Sequence, residues 1–357
     1  MKTQILSLLK IFLISVIFFY SCKDDEENNG NSDKIIYVEN NIEETTTWKG
    51  DKIYIIKKYD FWVNATLSIE AGCIIKFTDN GPWMNVGNNG TIVANGTIDK
   101  PIIFTSIKDD QHGGDNNKDG NATSPMPGDW YNIYVQSNGS KFVHCRFYYG
   151  GKGNYLSTLI IYGGDNCNVE NCIFAYNKGG KYGDFYYGAL DASEAGTNTT
   201  IKNNIFYGNV IPLSMNSMIS IDNSNIFHNP DNMSQKNTMN GIFLYTDDIN
   251  KNVSWEETEV PFVINDNDFW IESDGVLNLA NNIIIKFTYN SRMVVASSNC
   301  LVNWSNCIFT SFKDDTKGGD TNGDGNLTSA SKGDWQGIYN NSTGKYYVGN
   351  NILYSAN

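Results

Sequence analysis

Short apolar runs alternate with Asn-, Gly- and Asp-rich turns along most of the chain, and the runs share one rhythm. Val143-His144-Cys145-Arg146-Phe147, Val169-Glu170-Asn171-Cys172-Ile173-Phe174, Ile201-Lys202-Asn203-Asn204-Ile205-Phe206 and Ile221-Asp222-Asn223-Ser224-Asn225-Ile226-Phe227 each lead with an apolar residue. Polar, Asn-rich positions follow, and Ile-Phe or Phe closes the unit; Val348-Gly349-Asn350-Asn351-Ile352-Leu353 repeats it near the end. Matching positions lie about 20 to 32 residues apart, the length of one solenoid coil carrying loops of different size. In such a coil short strands point side chains alternately in and out, and equivalent positions stack at the ~4.8 Å strand spacing. The rhythm therefore predicts asparagine ladders along the coils and a bore filled by Ile and Phe. No helical apolar period is sustained beyond residue 21, and 33 glycines among frequent asparagines oppose one. A β-sandwich needs hairpin turns at regular short spacing, which the irregular repeat lacks.

A longer repeat lies over the short one. Lys108-Asp109-Asp110 through Gly120-Asn121 has a near twin in Lys313-Asp314-Asp315 through Gly325-Asn326, and the correspondence holds through Gly128-Asp129-Trp130 and Gly333-Asp334-Trp335. Upstream, Asp60-Phe61-Trp62 matches Asp268-Phe269-Trp270, and Ile74-Ile75-Lys76-Phe77-Thr78 matches Ile284-Ile285-Lys286-Phe287-Thr288. The expected organisation is a first unit over about 35–259 and a partial second unit over about 260–357, all within one β-helix spanning 34–357.

The units carry Ile75-Lys76-Phe77, Pro101-Ile102-Ile103-Phe104-Thr105-Ser106, Asp109-Asp110 and Gly128-Asp129-Trp130 in that order. This arrangement resembles the pectate-lyase-like superfamily of right-handed parallel β-helices, and especially repeat lipoproteins of bacterial cell surfaces. The resemblance covers nearly all of the chain after residue 33. It implies an all-β, right-handed, single-stranded parallel β-helix and says little about function, because the superfamily hosts lyases, hydrolases, adhesins and spacers.

The N-terminal segment bears on location. Lys2, an apolar run from Ile5 to Tyr20 and small Ser21 before Cys22 have the layout of a secretory signal peptide. The run is shorter than the roughly 20 apolar residues that cross a bilayer. Cys22 at the cut resembles a bacterial lipobox, with Phe19 where Leu is commoner; this implies lipidation at Cys22 and removal of residues 1–21. Residues 22–33, with Lys23-Asp24-Asp25-Glu26-Glu27 and then Asn and Gly, have nothing to bury and read as a disordered tether. The acidic run also resembles a surface-export signal, which implies an outer-membrane lipoprotein on the cell surface. Cleavage leaves 24 basic and 39 acidic side chains, a net charge of −15 with only two arginines, Arg146 and Arg292. That balance argues against nucleic acid as a partner and favours cations or neutral glycans.

The sharpest chemical signal is Asp115-x-Asn117-x-Asp119-Gly120, repeated as Asp320-x-Asn322-x-Asp324-Gly325. Oxygen ligands at alternate positions closed by glycine form the first half of an EF-hand-type calcium loop. Met126 and Ser331 stand where the closing Glu belongs, so Asp129 or the Asp109-Asp110 pair in one copy, and Asp334 or the Asp314-Asp315 pair in the other, are the candidates to complete it. Both copies keep the ligand positions while their neighbours differ, so a structural Ca2+ pinning each loop is expected. Trp130 and Trp335 are expected to pack beneath, with sugar stacking as their alternative role.

Catalytic signals are weaker. A polysaccharide lyase needs a basic group and a charge neutraliser; Arg146 points outward from a strand without an identifiable partner, and Lys76 and Lys286 occupy equivalent places, which fits a repeated structural role. A glycosidase pair drawn from Asp184, Asp191 and Glu194 competes with a solvated acidic face. His112, His144 and His228 are scattered. Cys145 and Cys172 fall at matching positions of consecutive coils, as stacked thiols or a disulfide. Tyrosines concentrate between 148 and 188, where Tyr149, Tyr155, Tyr182 and Tyr186 are the candidates to grip a neutral glycan by ring stacking, with aromatic ladders and loop packing as the competing role. The resulting expectation is a calcium-stabilised glycan-binding or adhesive module without catalysis; the alternative is a polysaccharide lyase or glycoside hydrolase on the same scaffold.

Overall fold

The computed structural model describes residues 34–357 apart from Asn80, Tyr155, Asp184, Thr246, Asp247 and Asp266. The signal segment, Cys22, the tether, Tyr155 and Asp184 lie outside the described residues. No helix among the described residues is long and apolar enough to cross a membrane.

The chain winds into a right-handed parallel β-helix of three short strands per coil. Ile53–Ile56, Asp60–Val63 and Thr66–Ile69 make one coil, and Ile74–Phe77 starts the next directly beside Ile53–Ile56. Repetition stacks the strands into a seven-stranded sheet running from Ile35–Val38 to Ile205–Tyr207, a ten-stranded sheet from Asp60–Val63 to Ile308–Ser311, and a six-stranded sheet from Thr46–Trp48 to Thr200–Lys202. The strands within them pair in parallel, so each coil supplies the backbone partners of its neighbour.

The sequence rhythm follows from this geometry. Before the last three strands of the seven-stranded sheet the chain turns a corner at His144, Asn171 and Asn203, with φ of 48°, 56° and 55°; asparagine is among the few non-glycine residues that readily adopt this left-handed region. The next residues alternate inward and outward. Phe104, Phe147, Phe174, Phe206 and Phe227 point inward and stack with centroids 4.6 to 5.3 Å apart, near-parallel and fully buried. Phenylalanine repeated at this position is thus matched to the strand spacing.

Buried asparagines close the corners at both ends of these strands. Asn177, Asn209 and Asn237 form one ladder: Asn177 N donates to Asn209 Oδ1 (3.0 Å), Asn209 N to Asn237 Oδ1 (3.2 Å), and Asn209 Nδ2 to Phe174 O (2.8 Å). Asn204 and Asn225 form a second, beginning at Cys172 N. Each amide serves as donor and acceptor to successive coils, so turn backbone that forms no sheet is still satisfied.

The long repeat is not stacked face on face. Ile74–Phe77 lies in the seven-stranded sheet, whereas its twin Ile284–Phe287 lies in the ten-stranded sheet. Asp60–Val63 lies in the ten-stranded sheet, whereas Asp268–Ile271 founds a four-stranded sheet with Arg292–Val295, Gly337–Asn340 and Lys345–Tyr346. One face is dropped at the seam. After the bridge Ile205↔Ile226 the chain leaves as an antiparallel hairpin, His228–Asn229 against Asn232–Lys236. It later passes from Asn252–Trp255 straight to Phe262–Ile264 in the ten-stranded sheet. Glu259 meets the exposed end of the seven-stranded sheet: Oε2 accepts Phe227 N (3.0 Å) and Oε1 contacts His228 Nδ1 (2.6 Å). Beside it Glu257 is fully buried and accepts Glu259 N (2.8 Å), while its Oε2 has no partner among the described residues. Burial pushes the Glu257 carboxyl up to about 7.

Two outcomes follow. Asn209→Ala strands the Asn177 amide and the Phe174 carbonyl in the interior, and urea unfolding is expected to show a loss of about 2–4 kcal/mol. Glu257 keeps its proton in the folded chain up to about pH 7 but loses it near 4.5 when unfolded. Folding therefore takes up a proton between those values, and stability falls as pH rises through that window, by about 2–3 kcal/mol. Glu257→Gln should flatten this slope and stabilise the protein at pH 7.5; an unchanged pH profile would show that another group governs it.

Candidate metal clasps and an outward aromatic face

Each of the two repeated loops folds back over the sheet it leaves. The loop after Ile102–Ser106 lies on the outer surface of the seven-stranded sheet, where Gly113, with φ of 81°, approaches so closely that an added Cβ would sit 2.9 Å from Ile53. Lys76 and Lys286 pin the loops from below. Both are fully buried; Lys76 Nζ donates to Asp109 O and Gly114 O (2.8 Å each), and Lys286 Nζ to Gly319 O (2.7 Å) and Thr321 Oγ1 (2.9 Å). Burial lowers both ammonium groups to about 8, with the loop aspartates opposing the shift. The equivalence of these lysines is thus structural.

A second tie closes each loop at its far end. Asp129 accepts from Ser106 Oγ (2.9 Å), Lys108 Nζ (3.0 Å) and Met126 N (3.0 Å), and Asp334 repeats this with Ser311 (2.8 Å), Lys313 (3.0 Å) and Ser331 N (2.9 Å). Trp130 and Trp335 follow, fully buried, stacked 4.0 Å from Phe77 and Phe287, with Nε1 donating to Tyr148 O and Leu353 O. They pack beneath the loops and have no face open to a sugar.

The carboxylates converge at the loop centre. Asp110, Asp115 and Asp119 each bring an oxygen within 4.8 Å of the others, and Asp315, Asp320 and Asp324 do the same. Ligands around one Ca2+ lie 2.3–2.6 Å from it and so up to about 5 Å apart, which these spans satisfy. Asp110 Oδ1, Asn117 Oδ1, Asp119 Oδ1 and Asp315 Oδ1 are inaccessible to solvent and have no hydrogen-bond partner among the described residues. Burial, then Asp320 and Asp324, raises the Asp315 carboxyl, as expected where like charges are gathered. The rest of the loop aims these oxygens: Asp119 N and Gly120 N donate to Asp115 (3.2 and 2.9 Å), and Asp324 N and Gly325 N to Asp320 (3.1 and 2.8 Å).

The third carboxylate in each cluster is Asp110 or Asp315, the second member of each aspartate pair that the sequence offered. Asp109 is buried and held by Thr105 Oγ1 (2.6 Å) and His112 Nδ1 (2.7 Å), and Asp314 by Thr310 and Thr316 (2.6 Å each). Asp129 and Asp334 are taken by the closing tie. Sequence adjacency alone could not rank Asp109 against Asp110; the turn that follows Ile102–Ser106 buries the first against Thr105 and leaves the second at the loop centre.

Of the aromatic candidates, Tyr149 is half-buried in a ladder with Tyr176 (5.9 Å) and Tyr207, and burial pushes its hydroxyl up to about 12. Tyr186 packs on Phe243 (4.8 Å) and Phe312, while Tyr182 is exposed on the hairpin Gly180–Tyr182/Phe185–Tyr187. A better platform lies on the outer surface of the ten-stranded sheet. Trp62, Asn85 and Tyr134 are in register on successive coils, Asn85 is held by Asp60 (2.8 Å), and Tyr134 stacks on the exposed Tyr162 at 5.4 Å. Alternation in Asp60-Phe61-Trp62-Val63 and Ile133-Tyr134-Val135 is the sequence signal that could have marked these as outward positions.

The remaining candidates are spoken for. Asp191 Oδ1 accepts from Ser193 Oγ (2.6 Å), Ser193 N (3.0 Å) and Ser214 Oγ (2.9 Å), and burial raises its carboxyl; Glu194, on the same strand, is exposed. Arg146 points outward in register with Ile103 and Ile173 beside a cavity of about 250 Å³ that His144 also lines. His112 and His228 hold Asp109 and Glu259. Cys145 and Cys172 are buried thiols, and burial holds Cys145 well above its usual range.

Residues 40–117 match the family model of a pectate-lyase like beta helix domain. The matched segment runs through the first coils into the first clasp. No curated protein and no solved structure matches the chain.

Loss of the closing tie tests the clasp. Asp129→Ala removes one ion pair and two hydrogen bonds, and is expected to cost about 2–4 kcal/mol. Limited proteolysis should then cut within residues 110–128 while the coils resist. Cleavage elsewhere would place the weak point outside the clasp.

Proposed function

We propose that this protein is a lipid-anchored, surface-exposed β-helix whose two loops are clasped by Ca2+ and whose outer face binds a glycan without catalysis. The observation that carries the calcium reading is the convergence of three carboxylates in each loop on oxygens buried without partners. Such groups are costly to bury unless a cation meets them. Asp110, Asp115, Asn117 and Asp119 would hold the ion in the first clasp, and Asp315, Asp320, Asn322 and Asp324 in the second. The ion would neutralise the gathered charge and fix the loop. The glycan reading draws on the Trp62, Tyr134 and Tyr162 rings beside the Asn85 amide, a pairing of flat apolar faces with fixed polar groups that suits a sugar. The anchor and surface location draw on Cys22 and the acidic run after it.

The lyase and hydrolase reading has less behind it. Lys76 and Lys286 are consumed in pinning loops, and Asp191 is capped by two serines.

Calorimetric titration with Ca2+ should find two sites per chain and a raised melting temperature, with Asp110→Asn removing one site and Asp315→Asn the other. Retention of both sites in these variants would sink the assignment. Tyr162→Ala should lower glycan retention about tenfold with an unchanged melting temperature. Release of unsaturated or reducing ends from a retained polysaccharide would replace the binding reading with an enzyme.

A further inference from the structure

Each clasp has a cavity on its flank, about 320 Å³ in both copies, and the repeat relates the two. Thr78 and Ile107 line the first cavity; their counterparts Thr288 and Phe312 line the second. In each a lysine lies over a tyrosine ring supplied by an unrelated part of the chain. Lys57 Nζ sits 3.8 Å from the Tyr37 centroid, and Lys181 Nζ 5.0 Å from that of Tyr186.

The charges differ. On the first flank every lysine has a carboxylate: Lys108 meets Asp79 (3.1 Å) and Asp129 (3.0 Å), and Lys57 has Glu39 at 3.6 Å. On the second flank Tyr289 stands where the first has Asp79. Lys313 keeps only Asp334 (3.0 Å), and its side chain is 37% exposed against 23% for Lys108. Lys181 has no carboxylate partner among the described residues and lines the same cavity. Among the described residues, two ammonium groups and one carboxylate thus line this cavity of a strongly acidic protein. Tyr186, Phe312 and Tyr289 supply ring faces beside it. Ammonium groups at an aromatic wall suit a ligand with an anionic group on a ring-shaped body.

We infer that the flank of the second clasp is an oxyanion pocket, taking a sugar ring that bears a sulfate ester or a carboxylate, and that the exchange of Asp79 for Tyr289 between the copies created it. The sugar body rests on the glycan-binding reading, but the pocket is separate from the aromatic row at Tyr162.

The test compares retention of the purified full-length protein on dextran, dextran sulfate and carboxymethyl dextran. Retention on one anionic matrix at least tenfold above plain dextran is expected, and the matrix preferred identifies the group. Tyr289→Asp, which returns the first copy's carboxylate at a 71% exposed position, and Lys181→Gln should each abolish the preference without changing the melting temperature. Lys100→Gln, an exposed charge change elsewhere, should leave it intact. Equal retention on all three matrices, none on any, or full retention by both pocket variants would overturn the inference. Retention lost in Tyr162→Ala but kept in Tyr289→Asp would uphold the glycan reading and reject this pocket.

Discussion

Parallel pairing between coils is the constraint on which the rest of this molecule depends. Every strand is short, often three or four residues, and none could persist alone. Stability comes from stacking, because each coil presents a row of backbone donors and acceptors that only another coil at ~4.8 Å can satisfy. Side chains at equivalent positions are then forced into the same spacing. Phenylalanine exploits it by ring stacking in the bore, and asparagine by bonding backward and forward at the corners.

The same constraint makes every departure from the coil a problem of unmet backbone and uncovered surface. The two clasps solve it by lying back on the sheet, pinned at one end by a buried lysine and at the other by an Asp-Lys tie above a stacked tryptophan. Between those ends the loop gathers three carboxylates, an arrangement that repels itself. The seam at Glu257 and Glu259 solves it differently. There an acidic side chain takes the place of a strand that never arrives, meeting the Phe227 amide and the His228 ring. Acidic side chains thus appear both where a loop must be drawn together and where a sheet must be ended.

Duplication also lets one copy serve as the control for the other. Lysine, aspartate and tryptophan of the tie are the same in both clasps, so they answer to the fold. The flanks differ at Asp79 and Tyr289, where no backbone requirement acts, and the charge of the neighbouring cavity changes with them.

The sequence alone determined the coil, because stacking translates directly into a residue rhythm: Val-x-Asn-x-Ile-Phe needs no tertiary information to be read as corner, strand and bore. It also determined the two loops and most of the oxygen-bearing side chains gathered in them, since Asp115, Asn117 and Asp119 are placed by spacing within one turn. Tertiary structure decided what spacing does not carry. It brought Asp110 rather than Asp109 to the cluster, because the turn after the strand buries the latter against Thr105. It set the outward partners Trp62, Asn85 and Tyr134 side by side, although they come from three coils. It also moved the second copy onto a different face, because whether a coil adds a strand to a given sheet depends on the path between strands and not on the strands themselves.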